Sequence, residues 1–108
     1  MLKIDSQEMF DKELAAAGNK AVIVDFFAQW CGPCKVIAPK LMKMAQEFPN
    51  VVVMKIDVDE AQDVAALCRI EAMPTFCVFK GGKEVKADRI RGASEEKLRA
   101  LFTKYNSL

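Results

Sequence analysis

Residues 24–35 read VDFFAQWCGPCK. Their first half belongs to an apolar run, 21–28, that is rich in β-branched and aromatic residues and contains one charge, Asp25. Such a run is typical of a central strand buried on both faces. After Cys31, the spacing of apolar residues predicts a helix to about Phe48, with an inner stripe of Ile37, Leu41, Ala45 and Phe48. The segment therefore predicts a buried strand that leads into a helix, with two cysteines at the junction.

The rest of the chain repeats this alternation of short apolar runs and helix-period segments. Strands are predicted at residues 2–4, 51–58, 75–80 and 84–90, the last two joined by a hairpin at Gly81-Gly82. Further helices are predicted after Ser6, after a capping box of Asp59 and Gln62, and after Ser94. This order predicts an α/β domain, in which a mixed sheet with an antiparallel edge hairpin carries helices on both faces.

The length and composition favour one domain, residues 1–108, with a single hydrophobic core. Apolar residues make up 52% of the chain, which excludes a disordered protein. The net charge of +1 provides no general attraction to nucleic acid or to an anionic membrane. Neither a signal peptide nor a membrane span is predicted, because no apolar run is long enough. We therefore expect a cytosolic protein without nucleic-acid or membrane partners.

The chemistry is predicted to reside in Cys31-Gly32-Pro33-Cys34. Two intervening residues bring the sulfurs within bonding distance across one turn, and Gly32 and Pro33 suit the start of a helix. Unpaired N–H groups and the partial positive charge at a helix N-terminus favour the thiolate of Cys31. Cys34 lies one step deeper, so we expect it to be more buried and less acidic. Cys31 is therefore predicted to attack a disulfide, and Cys34 to resolve the intermediate.

A zinc half-site is the main alternative for two cysteines at this spacing. It would need a second pair of ligands at similar spacing, but Cys68 and Cys77 are nine residues apart and the chain has no histidine. In a reducing compartment, the cysteines are also poor candidates for structural disulfides. Redox chemistry is therefore favoured over metal binding.

The segment 24–35, together with Met73-Pro74-Thr75-Phe76 and Gly92, resembles the thioredoxin family over essentially the whole chain. Met73 before the proline and Cys68 resemble its animal members. The resemblance implies the thioredoxin fold, a central five-stranded mixed β-sheet flanked by four α-helices. It also implies a cytoplasmic protein-disulfide reductase that takes part in electron transport and redox homeostasis, is a monomer and has no cofactor. The implied partners are an NADPH-dependent flavoprotein reductase and substrates such as peroxiredoxins or ribonucleotide reductase.

Asp25 and Lys55 are ionisable residues in predicted buried strands. Burial disfavours the charged carboxylate, so the pKa of Asp25 should be raised. The resemblance places Asp25 beneath Cys34 as its general base and Lys55 nearby as the partner of Asp25. Alternatively, Lys55 only buries its aliphatic stem and extends its amine to water.

A rim around the dithiol is implied to bind substrate. Pro74 alone could simply begin a strand, but the resemblance implies a cis Met73-Pro74 bond that faces the dithiol, with the Met73 backbone pairing with the substrate like an added strand. Trp30 follows the end of the strand and is therefore expected to be exposed. The full predicted rim consists of Trp30, Gly32, Pro33, Ala72, Met73, Pro74, Gly92 and Ala93.

Three further expectations concern the remaining cysteines and the competing functions. Cys68 and Cys77 are predicted to be small buried hydrophobic residues. Ala61 and Ala72 occupy positions where some animal members have regulatory cysteines, so disulfide-linked dimers are not expected. The alternatives to a reductase are a glutaredoxin-like or isomerase-like enzyme, which the Gly-Pro pair disfavours, and a non-catalytic binding module with the same groove.

Overall fold

The computed structural model describes residues 1–107. The strands are β1 (Leu2–Ile4), β2 (Val22–Phe27), β3 (Val52–Asp57), β4 (Thr75–Lys80), β5 (Lys83–Glu84) and β6 (Ile90–Arg91). The helices are α1 (Gln7–Ala16), α2 (Gly32–Glu47), α3 (Gln62–Leu67) and α4 (Glu95–Asn106), with one 3-10 turn at Lys86–Asp88. Within these residues, no helix has both the length and the apolarity needed to span a membrane.

The strands form one mixed sheet in the order β1-β3-β2-β4-β5, with β6 also pairing with β4. β1 and β2 run parallel to β3, whereas β4 runs antiparallel to β2, β5 and β6. The central strand β2 places Asp25 opposite Lys55 on one side and Phe76 on the other. The predicted mixed sheet with an antiparallel edge is therefore confirmed.

Both faces of the sheet are covered by helices, as predicted. On one face, Ile23 and Val53 of the sheet pack with residues of α2 and α4, including Ile37, Leu41, Leu98 and Phe102. On the other face, Val24 and Met54 pack with Phe10 and Leu14 of α1 and Val64 of α3. Side chains alternate between the two faces along each strand. Asp25 and Lys55 therefore point to the same face as Ile23 and Val53, the face that carries α2.

The predicted strand at residues 84–90 is interrupted, so the sheet has six strands rather than five. Val85 still donates to the Val78 carbonyl at 2.8 Å, but Asp88 N and Arg89 N then bond back to Val85 and Lys86 in a tight turn. Arg89 fixes this turn with two hydrogen bonds to Glu84, at 2.7 and 2.8 Å. These side-chain bonds hold the segment out of the ladder with β4.

The predicted capping box at Asp59 and Gln62 is wrong, although the caps at Ser6 and Ser94 are confirmed. The N-cap of α3 is Ala61, which has no side-chain hydrogen bond. Buried Asp57 explains the difference, because its side chain accepts from Asp59 N at 2.9 Å and its carbonyl from Ala61 N at 2.9 Å. Asp57 thus closes the turn two residues before the predicted cap.

Candidate active site

The two cysteines of the motif lie at the start of α2 and are joined as a disulfide. Cys31 is the N-cap residue of the helix, and its Sγ accepts a hydrogen bond from Cys34 N at 3.2 Å. The same sulfur lies 3.6 Å from the Met73 carbonyl oxygen. Cys31 therefore sits where an anionic sulfur would be stabilised, beside the loop that was predicted to bind substrate.

Burial does not distinguish the roles of the two cysteines. Cys31 is 5% exposed and Cys34 is 4% exposed, so the predicted contrast is too small to separate them. Their surroundings do differ. Cys34 lines a cavity of about 250 Å³ together with Phe27, Ala28 and Lys55, whereas the sulfur of Cys31 faces the helix cap and Met73.

Asp25 is a buried carboxylate on the α2 face of the sheet. It is 1% exposed, and burial raises its pKa from 3.8 to about 6, while the charge of Lys55 opposes this rise. Its Oδ1 has no hydrogen-bond partner within residues 1–107. The raised pKa predicted from the sequence is therefore confirmed, and the carboxylate keeps an oxygen free to accept a proton.

Lys55 makes a contact that neither of its two predicted roles included. It is half-buried, and its Nζ lies 4.6 Å from the centre of the Phe27 ring, a cation–π contact. It also lies opposite Asp25 in the β2–β3 register and lowers the pKa of that residue. Lys55 also lines the cavity that Cys34 lines.

The buried carboxylate should make the protein less stable as the pH rises. The folded state holds Asp25 with a pKa of about 6, against 3.8 for an ordinary carboxyl, so it binds more protons than the unfolded state between these values. The free energy of unfolding should therefore fall across this window, by about 2–3 kcal/mol.

Denaturant unfolding of wild type and Asp25→Asn, above and below this window, measures the effect. The variant should gain about 2–3 kcal/mol over wild type on going from the acidic to the alkaline condition. Asp5→Asn, at an exposed aspartate, is the control and should show no such gain. A difference between Asp25→Asn and wild type that is independent of pH would contradict the raised pKa.

Of the predicted rim, Met73 packs against the two cysteines. The bond between Met73 and Pro74 is cis, as the resemblance implied. Trp30 is 69% exposed, which confirms its predicted exposure. Gly92 N donates to the Pro74 carbonyl at 2.9 Å, which holds the loop before α4 against the loop before β4. Of the other rim residues, Gly32, Pro33, Ala72 and Ala93 are exposed, Met73 and Gly92 are half-buried, and Pro74 is buried.

One contact at the site was missed by the sequence analysis. Trp30 Nε1 donates to Asp59 Oδ2 at 3.0 Å, across 29 positions of the chain. Asp59 had been assigned to the cap of α3, and no local pattern indicated that its side chain reaches the indole. The bond restrains the exposed tryptophan beside Cys31.

Cys68 and Cys77 lie outside the site. Cys77 is buried in β4, as predicted, whereas Cys68, after α3, is only half-buried. Burial raises the pKa of Cys68 to about 11 and that of Cys77 further still. Both thiols are therefore protonated, and so poor nucleophiles, at neutral pH.

The comparison with known proteins agrees with this geometry. The family model described as Thioredoxin matches residues 1–104. The chain belongs to the thioredoxin family. It is 49% identical to the thioredoxin of Mus musculus over 102 residues, covering 94% of this chain and 95% of that protein. It is 46% identical to the thioredoxin of Homo sapiens over 100 residues, covering 93% of each chain.

A solved structure shows the same relationship in three dimensions. The thioredoxin of Fasciola hepatica superimposes with a TM-score of 0.93 at 44% identity, covering 97% of this chain and 99% of that one. The thioredoxin fold and the resemblance to animal thioredoxins are thus confirmed. Family membership and the Cys31–Cys34 disulfide make the protein a dithiol–disulfide oxidoreductase that reduces disulfides by thiol exchange.

Proposed function

We propose that the protein reduces protein disulfides with Cys31 as nucleophile, Cys34 as resolving thiol and Asp25 as general base. One observation carries the assignment of the nucleophile. Cys31 Sγ is the acceptor at the N-cap of α2, with Cys34 N at 3.2 Å. A donor and a helix N-terminus aimed at one sulfur favour its thiolate, which is the reactive form.

The first exchange forms a mixed disulfide. The Cys31 thiolate attacks one sulfur of the substrate disulfide, a new S–S bond forms to Cys31, and the other substrate sulfur leaves as a thiolate. The Met73 carbonyl, 3.6 Å from Cys31 Sγ, supports docking of the substrate as an extended segment along this loop. The exposed rim around Trp30, Gly32 and Pro33 suits varied protein substrates, because it offers mainly apolar side chains and backbone groups for a substrate to contact.

The second exchange releases the reduced substrate. Cys34 loses its proton to the Asp25 carboxylate and attacks the sulfur of Cys31, so the substrate leaves as a second thiolate and Cys31–Cys34 is left oxidised. Three features support this role for Asp25: it points to the face that carries α2, its Oδ1 is unpartnered among residues 1–107, and its pKa of about 6 leaves it mostly ionised at neutral pH. The cavity between Cys34 and Lys55 is large enough for water to relay the proton. Lys55 keeps the carboxylate ionised.

The oxidised dithiol has to be recharged by an external electron donor. We infer an NADPH-dependent flavoprotein reductase as this donor, and a cytoplasmic, monomeric, single-domain protein that passes electrons to substrates such as peroxiredoxins or ribonucleotide reductase. The thioredoxins to which the chain is similar support this assignment.

Alkylation of the reduced protein against pH tests the assignment of the nucleophile. Cys31 should react with iodoacetamide well below the pH at which an ordinary thiol reacts, because the helix N-terminus stabilises its thiolate. Cys68 and Cys77 serve as internal controls and should stay unmodified at neutral pH. Mass spectrometry of the digested protein locates the label. Equal labelling of Cys31 and Cys68 at neutral pH would contradict the assignment.

A further inference from the structure

A second cavity of about 490 Å³ opens between α3 and the turn that interrupts the predicted edge strand. Its charged lining consists of Arg69, Glu71, Glu84, Lys86, Arg89 and Arg91, and we name it the basic pocket. Four of these side chains are cationic and two are anionic, whereas the whole chain of 108 residues has a net charge of only +1. The basic pocket therefore has a local excess of two positive charges.

The charges of the basic pocket are unequally paired. Glu84 and Arg89 neutralise each other through a two-pronged ion pair, and Arg89 also donates to the Cys68 carbonyl at 2.9 Å. Arg69, Lys86 and Arg91 form no ion pair within residues 1–107. Among the residues that line the pocket, Glu71 is the acidic side chain left to balance these three cations. The pocket therefore keeps an excess of positive charge available to a ligand.

The backbone conformation of Arg69 is a second observation, independent of the charges of the pocket. Arg69 has a φ of +54°, in the left-handed region, where it follows α3. The bonds from Ile70 N to Ala65 O and from Arg69 N to Ala66 O form the helix ending that usually has glycine at this position. An arginine there costs stability, so a role for its side chain would explain its presence.

The basic pocket adjoins the rim of the dithiol. Glu71 directly precedes Ala72 and Met73, and Arg91 directly precedes Gly92. Arg91 also pairs with Thr75 in the β4–β6 register, immediately after the cis Met73-Pro74 bond. Leu67, at the pocket edge, is 66% exposed and adds an apolar surface beside these charges. A polypeptide docked at Met73 would thus reach the pocket within a few residues of its cysteine.

We propose that the basic pocket binds an acidic side chain of the substrate polypeptide, near the disulfide being reduced, and so selects substrates with Asp or Glu beside their cysteine. Arginine guanidinium groups bind carboxylates through two parallel hydrogen bonds, which suits Arg69 and Arg91 to this role. The proposal rests on the proposed docking of substrate along Met73 and adds a preference for one class of sequence.

Two matched peptides test the preference. Each carries one cysteine as a mixed disulfide with a coloured leaving thiol, and has either glutamates or glutamines within four residues on both sides. Wild type should show a kcat/KM about fivefold higher for the glutamate peptide at low ionic strength, as expected for partly exposed ion pairs. This ratio should fall towards one as salt is added. An equal rate for both peptides at low salt would overturn the proposal.

Variants of the pocket locate the effect. Arg69→Gln/Arg91→Gln should bring the ratio to about one, and Arg69→Glu/Arg91→Glu should bring it below one. Lys12→Gln/Lys20→Gln removes two exposed charges at other sites and should keep the wild-type ratio. Arg69→Gly should raise stability and lower the ratio, a combination that a purely structural arginine would not produce. A ratio that survives in Arg69→Gln/Arg91→Gln, or that disappears equally in Lys12→Gln/Lys20→Gln, would contradict the proposal.

A binding measurement separates this proposal from the mechanism. Versions of the two peptides with alanine in place of cysteine are titrated into the protein and followed by the NMR signals of the Arg69 and Arg91 amides. The glutamate peptide should bind more tightly and shift these signals. If the wild type reduces neither cysteine peptide, the proposed function fails, while the ratio of the two affinities still decides for or against the pocket.

Discussion

Replacing Cys34 with serine will leave the protein bonded to its substrate through Cys31. Cys31 keeps its place at the N-cap of α2 beside Met73, so the first exchange should proceed. The second exchange then lacks its thiol, and the mixed disulfide persists. Insulin reduction by Cys34→Ser should therefore fall to the uncatalysed background, while non-reducing electrophoresis shows a covalent complex with insulin chains.

Two controls make this result specific. Cys31→Ser should neither reduce insulin nor form the complex, because it lacks the attacking sulfur. Cys68→Ala removes a thiol outside the site and should leave insulin reduction close to wild type. A non-catalytic binding module would show no insulin reduction in wild type, and a complex with Cys31→Ser in place of Cys34→Ser would reverse the assigned roles.

Asp25→Asn will slow the resolution of the mixed disulfide much more than its formation. Asparagine cannot accept the proton of Cys34, and loss of a general base lowers the rate of the assisted step by about 10²-fold. In wild type, resolution should also slow as the pH falls through about 6, where the Asp25 carboxylate becomes protonated. Formation should change little, since it depends on the Cys31 thiolate at the helix cap.

Stopped-flow fluorescence of Trp30 can separate the two steps, because the indole lies beside the cysteine that carries the substrate. Asp5→Asn is the matched control and should leave both rates unchanged. Equal slowing of formation and resolution by Asp25→Asn would remove the proposed role. Combined with the pH-dependent stability gain expected for the same variant, the result would show that the buried carboxylate benefits catalysis at the cost of stability.

Local patterns were sufficient to predict most of the fold. The composition of the apolar run 21–28 is hard to reconcile with anything other than a buried strand. The serines before α1 and α4 are strong N-caps, and acidic residues follow them in the first turn of each helix. The hairpin at Gly81-Gly82 was also predictable, since both residues adopt positive φ angles that glycine tolerates. In each of these cases, the residues that specify the element lie within it or immediately before it.

The predictions that were wrong or incomplete depend on specific side-chain hydrogen bonds, some local and some between distant residues, which a hydrophobic pattern does not encode. The cap predicted at Asp59 does not form, because buried Asp57 accepts a hydrogen bond from Asp59 N in the turn before α3. The alternation of apolar and polar residues along β3 did not reveal this bond. The interruption of the edge strand depends on Arg89, whose bonds to Glu84 and to the Cys68 carbonyl join residues up to 21 positions apart. Sequence spacing alone could not distinguish an arginine that holds a turn from one on a free strand surface.

The candidate site shows the same division. The two cysteines, their helix and the unusual charge of Asp25 were evident from one continuous segment. The contact between Trp30 and Asp59 and the convergence of Arg69 and Arg91 on one cavity were not, because only the folded chain brings these residues together.

The position of Cys31 as the N-cap residue of α2 also bears on how far the backbone must move during each cycle. Its sulfur keeps a lone pair for the Cys34 N–H whether it is a thiolate, bonded to a substrate or bonded to Cys34. We therefore expect the start of the helix to remain intact in all three states. The backbone then needs little rearrangement during disulfide exchange, whether the dithiol is being oxidised or reduced.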